Sequence, residues 1–213
     1  MQWKTRCPYR SLEANYPAQI NDVKAAVRWL KANAVQYRLN ANKIASWGGS
    51  AGGNLSALLG TTADVAELEG SSLGNANQSS RVVATVDWFG PINFLTMDDQ
   101  AKAQGFTTNT NSASSPESTL MGAPVQTIPD KVATANAMTY ITKDDAAFYI
   151  QHGTADRNIP TKQSLDLYNA LVAVKGAENV KFDLIQGAGH GGPQFSDPAN
   201  MAKILAFLDK YLQ

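Results

Sequence analysis

Lys43-Ile44-Ala45-Ser46-Trp47, then Gly48-Gly49-Ser50-Ala51-Gly52-Gly53, then Asn54-Leu55-Ser56-Ala57-Leu58-Leu59-Gly60 is the stretch on which the fold turns. A short apolar run ends at two glycines, one serine stands in the turn, and helical character resumes at Ala51. A serine between a strand and a helix, flanked by residues without bulk, matches the G-x-S-x-G turn that lifts a nucleophile above a sheet. The N–H of Ala51 and the positive end of the following helix would face a developing oxyanion.

Working outward, Val82–Phe89, Ala147–His152 and Val180–Ile185 read as three more strands, each closed by a glycine. Helices are predicted between and around them. One runs from Pro17 to Gln36 with Ile20, Val23, Val27 and Leu30 as its apolar stripe. Another runs from Thr161 to Val174 with Leu165, Tyr168 and Leu171 or Val172 on one face. The last has Asp197 as N-cap, Pro198 at its first position, and Met201, Ile204, Leu205, Leu208 and Leu212 as its buried stripe. Apolar strands alternating with helices give an α/β fold, a parallel sheet covered on both faces. The chain of 213 residues is expected to be a single domain. Gly70–Ser80 reads as a surface loop. Residues 93–143 read as an insertion over the C-terminal ends of the strands, partly helical between Pro129 and Ala137.

Composition narrows the function classes. Eighteen basic residues balance eighteen acidic ones, which removes the electrostatic footprint of a nucleic-acid binder. One cysteine, Cys7, and two histidines are too few for a Cys/His zinc site or an internal disulfide framework, so no metal is expected. No apolar run approaches a membrane span, and no apolar stretch follows Met1–Arg6 as a secretory signal would require. A cytoplasmic location is the default expectation, with secretion or a periplasmic location left open if the N-terminus is incomplete.

A serine nucleophile needs a base and an orienting acid. His190 lies in Gly187-Ala188-Gly189-His190-Gly191-Gly192, a glycine loop after the last strand, and from there can reach a serine at the sheet's carboxyl edge. His152 ends a strand and reads as a structural hydrogen-bonder. Asp156 follows the third strand; its rival Asp87 sits inside a strand and reads as a buried structural acid. Asp98 and Asp99 are expected to be solvated. Ser50, Asp156, His190 is the chain order of α/β-hydrolases. Gly49, Trp88 and Phe89 are the candidate substrate contacts.

Tyr9-Arg10, Pro17-Ala18-Gln19-Ile20-Asn21-Asp22-Val23, GGSAGG at 48–53, DWFGP at 87–91, HGTADRNIP at 152–160 and GAGHGG at 187–192 occur in order. Together they resemble the bacterial esterase/lipase branch of the α/β-hydrolases that includes feruloyl-esterase-like and hormone-sensitive-lipase-like enzymes. The resemblance runs from about Tyr9 onward and implies hydrolysis of short- to medium-chain acyl or aryl esters, without a cofactor. In it Ser50 attacks, His190 is the base, Asp156 holds the imidazole, and Ala51 N–H is one oxyanion donor. It also implies an N-terminally truncated sheet, because the family's Tyr-Arg motif closes its fourth strand and a His-Gly-Gly oxyanion loop precedes it. The strand at 43–47 would then become an edge, and an unpaired edge invites homo-oligomers. Two other readings follow from the same residues: a serine peptidase of this fold, and a catalytically impaired binding protein.

Overall fold

The computed structural model describes residues 14–213; Tyr9-Arg10, Cys7 and the segment Met1–Pro8 lie outside the described residues. Four parallel strands, β1 (Ala45–Gly49), β2 (Ala84–Trp88), β3 (Ala147–Gly153) and β4 (Val180–Ile185), lie in chain order across the sheet. Gly48 pairs with Asp87 and Gly49 with Trp88, so the carboxyl ends of β1 and β2 are level. Among the described residues β1 is an edge of this sheet, as expected from the sequence, and Trp47 on it is exposed.

The period of two along β3 sorts its side chains between two cores. Phe148 and Ile150 pack with α1 (Ala18–Ala32), α3 (Ala51–Thr61) and α7 (Thr161–Lys175). Ala147 and Tyr149 pack on the other face, with Ile204 and Phe207 of α8 (Pro198–Leu212). In α8 the buried stripe is Ile204 and Phe207, and Leu205 is exposed, against expectation. One residue is about a 100° turn of helix, which carries Leu205 off the stripe that Ile204 defines. In α7, likewise, Leu165 is exposed while Gln163, Ser164, Leu167 and Leu171 are buried. Two polar residues belong to that inner face because they have partners there: Gln163 Oε1 accepts from the N–H groups of Ile92 and Asn93, and Ser164 meets His152.

The predicted helix 17–36 is two, α1 and α2 (Ala34–Tyr37), with a break at Asn33. Its inner face carries Lys24 and Arg28, both fully buried. Glu69 Oε2 lies 3.0 Å from Lys24 Nζ, and Oε1 lies 2.7 Å from Arg28. Ser80 and the carbonyls of Gly70 and Gly74 complete the shell. Two buried cations around one carboxylate tolerate burial because their donors are satisfied. The 70–80 loop is therefore anchored from beneath as well as solvated.

The inserted region holds more helix than predicted: α4 (Met97–Ala103), α5 (Pro116–Met121) and α6 (Pro129–Thr134), with 3-10 turns before α4, between α5 and α6, and after α6. Asp98 organises it instead of being solvated. Its carboxylate accepts from Thr108 Oγ1 at 2.7 Å and from the N–H groups of Thr110 and Asn111 at 2.8 and 3.0 Å. Burial opposes charge on Asp98, but these hydrogen bonds outweigh it and hold the carboxyl below its ordinary value. Asp99 is exposed, as expected. No helix among the described residues is long and apolar enough to cross a membrane.

Candidate active site

Ser50 sits between β1 and α3 with φ +57° and ψ −123°, a left-handed-side conformation that is strained for a non-glycine residue. The turn holds because Ser50 N–H donates to Trp88 O at 2.9 Å and the Ser50 carbonyl accepts from Gly53 and Asn54. Gly48 is required: a Cβ there would stand 2.1 Å from the Gly52 carbonyl oxygen. Ala51 N–H donates to no backbone carbonyl among the described residues and stays free to meet an anion, as first-turn N–H groups do.

His190 Nε2 lies 2.8 Å from Ser50 Oγ, and His190 Nδ1 lies 2.9 Å from Asp156 Oδ2. A carboxylate can only accept, so Nδ1 carries the proton and Nε2 offers its lone pair to the serine hydroxyl. The base loop and the acid turn are knitted together. Ala155 N–H donates to Ala188 O at 2.9 Å, and Gly187 N–H donates to Thr154 Oγ1 at 2.9 Å. Gly153 permits the approach, since a Cβ there would lie 2.3 Å from Ala188 O.

Asp156 is fully buried, with Oδ1 accepting from Asn158 and Ile159 N–H at 2.8 and 3.0 Å. Burial by itself would raise this carboxyl. Hydrogen bonds from His152, His190 and the two backbone N–H groups outweigh it and keep Asp156 well below the usual carboxylate range. His152 is buried and structural, as read, but it also touches the site. Its Nδ1 lies 2.7 Å from Ser164 Oγ, while Nε2 faces Ile159 O at 3.0 Å and Asp156 Oδ2 at 3.3 Å.

Asp87 stays out of the triad. It is fully buried, Oδ1 accepts from Gly90 N–H at 2.9 Å, and Oδ2 has no partner among the described residues. Burial pushes its carboxyl up to about 6, against the Gly90 hydrogen bond and the nearby His152. The folded value lies above the unfolded one, so the site's contribution to stability is full below about pH 4 and is lost as pH rises through 6. Over that window the loss is about 3 kcal/mol. Urea unfolding at pH 4 and pH 7 checks this: Asp87→Asn is expected to remove that part of the pH dependence, and parallel curves for the two proteins would contradict it.

A cavity of about 510 Å³ opens over Ser50 and His190. Its walls come from the inserted region, through Thr107, Thr108 and Glu117, and from Arg157 after β3. Arg157 donates to Gly105 O at 3.1 Å and stands 5.6 Å over the Phe106 ring, which fixes that wall. Gly49, Trp88 and Phe89 do not line it. Phe89 packs edge-on against the His190 ring at 4.8 Å between centroids, and Trp88 packs on Trp47 and Phe195. Phe89, just after β2, thus supports the imidazole from behind. The lining threonines of the insertion carried no sequence signal, because their position depends on how Asp98 folds the loop.

The family profile described as BD-FAE matches residues 6–171. Esterase LipC of Mycobacterium tuberculosis is 29% identical over 180 residues, covering 83% of this chain and 41% of LipC. The chain thus spans about two fifths or less of the length of the curated relatives it matches. Among solved structures, a bifunctional GH43-CE protein of Bacteroides eggerthii is 36% identical with a TM-score of 0.86, covering 96% of this chain and 26% of that one. A truncated form of a carbohydrate esterase from gut microbiota is 33% identical, also at 0.86, covering 95% and 71%. With the profile spanning most of the sequence, the chain belongs to the BD-FAE family, an esterase-type group of the α/β-hydrolases.

Proposed function

We propose that this chain hydrolyses carboxylic esters of short- to medium-chain acyl or aryl acids through a covalent acyl-enzyme on Ser50. The observation that carries the reading is the unbroken relay from Asp156 Oδ2 through His190 to Ser50 Oγ, at 2.9 and 2.8 Å. Ser50 Oγ forms a bond to the ester carbonyl carbon while His190 Nε2 takes its proton. The bond to the alcohol oxygen then breaks, and His190 returns the proton to that oxygen. Water repeats the sequence on the acyl-enzyme and releases the acid. Ala51 N–H stabilises the oxyanion in both halves. Asp156 keeps the imidazole in the productive tautomer throughout.

The hydroxyl and amide lining of the large cavity, from Thr107, Thr108, Asn109, Thr110 and Asn158, supports a hydroxyl-rich alcohol such as a sugar. The similarity to a carbohydrate esterase points the same way. A peptidase of this fold has no specific observation in its favour, and the assembled relay weighs against a binding-only protein.

A fluorophosphonate probe tests the reading. It is expected to add one phosphonyl group per chain, on the peptide containing Ser50, and p-nitrophenyl acetate hydrolysis is expected to fall in proportion to labelling. Labelling elsewhere, or activity that survives full labelling of Ser50, would overturn it.

A further inference from the structure

Beside the large cavity lies a second one of about 190 Å³, lined chiefly by Tyr16, Leu55, Phe94 and Leu120, with Gln19 and Glu117 as polar lining residues. It reaches Ala51 but neither Ser50 nor His190, and it shares Ala51, Pro91, Pro116 and Glu117 with the large cavity. The two spaces are therefore neighbours across a common lip. At 190 Å³ the smaller one falls below the roughly 300–1,000 Å³ of a complete ligand site, so it suits part of a ligand.

The reaction divides the ligand. A tetrahedral carbon on Ser50 Oγ carries three other groups: the oxyanion, the leaving oxygen and the acyl chain. The oxyanion belongs at Ala51 N–H. The leaving oxygen must lie within reach of His190 Nε2, which places the alcohol in the large cavity. The acyl chain takes the remaining direction, past Ala51 and away from His190. On the reading of Ser50 as an ester-cleaving nucleophile, we infer that the small cavity is the acyl subsite and that it selects short, uncharged acyl groups.

Size and polarity set the selection. At the roughly 30 Å³ a water occupies in the liquid, the cavity takes about six heavy atoms. Asn54 is no polar handle there, because its Nδ2 is spent on Pro91 O and Ala135 O at 2.8 and 3.1 Å. Tyr16 spends its hydroxyl on Thr134 O. Gln19 Nε2 donates to Ala14 O, and its Oε1 has no partner among the described residues. The polar group left on the wall is the Glu117 carboxyl, which disfavours an acyl group that ends in a carboxylate. Leu120, on the wall contributed by α5, limits the chain length.

The test is kcat/KM for p-nitrophenyl acetate, butyrate, octanoate and hemisuccinate with the wild-type chain, Leu120→Ala and Leu55→Ala. The wild type is expected to prefer butyrate to octanoate by tenfold or more, and to use the hemisuccinate poorly. Either leucine truncation is expected to raise the octanoate-to-butyrate ratio by about tenfold, since each seated methylene contributes on the order of tenfold or more. Two variants guard against one failing to fold. If both hydrolyse butyrate and neither ratio moves, the small cavity is not the acyl subsite, and Ser50 chemistry stands unaffected. If the folded wild type hydrolyses none of the esters, the ester-hydrolase reading falls first and the subsite falls with it.

Discussion

Ser50→Ala is expected to lower kcat for p-nitrophenyl butyrate by up to about 10⁶-fold, the order lost when a triad serine is removed elsewhere. Three features of this site set the size. Ser50 Oγ is the atom on His190 Nε2, so its loss leaves the base with water alone to activate. The turn that presents it has no second hydroxyl within the glycine-flanked stretch 48–53. What remains is the oxyanion donor at Ala51, and such donors alone retain only a small part of serine-hydrolase catalysis. The backbone supports of the turn, Ser50 N–H on Trp88 O and the carbonyl contacts to Gly53 and Asn54, survive the substitution. Melting temperature should therefore move little. Steady-state kinetics beside a thermal melt decide the matter; a loss below about a hundredfold in a folded variant would assign the chemistry to another group.

Asp156→Asn is expected to cost about 10⁴-fold in kcat, and the surrounding hydrogen bonds say why. Oδ1 accepts from both Asn158 and Ile159 N–H, so an asparagine must keep its oxygen on that side. Its NH₂ then faces His190 Nδ1, where the carboxylate accepted a proton. Nδ1 is forced to accept and Nε2 to carry the hydrogen, which leaves no lone pair for Ser50. Because the turn dictates the amide's orientation, the variant should fold normally and bind ester while turning it over slowly. The loss belongs in kcat with KM within a few-fold. The same bonds hold the wild-type carboxyl well below the ordinary range, so the acid limb of the pH–rate profile does not report Asp156. A variant retaining a tenth of wild-type kcat would show that His190 is oriented by something else.

The triad was legible because each member sits where the chain reverses at a strand end, and turns are written in local residues. Gly48-Gly49-Ser50, Gly153-Thr154-Ala155-Asp156 and Gly189-His190-Gly191 needed no knowledge of the rest of the fold. The helix faces were less legible. The apolar stripe of the first helix gives no sign that Lys24 and Arg28 are buried, because Glu69, remote in sequence, supplies their counter-charge. Gln163 and Ser164 are buried in α7 because Ile92, Asn93 and His152 use them, which turns Leu165 outward although its apolar character predicts an inner position. The same holds for Phe89, whose aromatic character suggested a ligand wall but whose ring serves the imidazole. Asp98 and the division of the cleft into two cavities depend on the insertion's tertiary path, which residue patterns do not encode.

The identity of strand order and chain order has a kinetic meaning. Each described strand after β1 finds its partner already made as the chain leaves the ribosome, so the sheet can grow in one direction without waiting for a distant segment. The nucleophile's turn is secured as soon as β2 docks, through Trp88 O, whereas the imidazole is placed only when β4 has paired and its loop closes on Ala155. The relay from Asp156 through His190 to Ser50 is therefore completed only at the last pairing step among the four described strands. A folding intermediate with three paired strands would carry a fully shaped serine turn and remain inert.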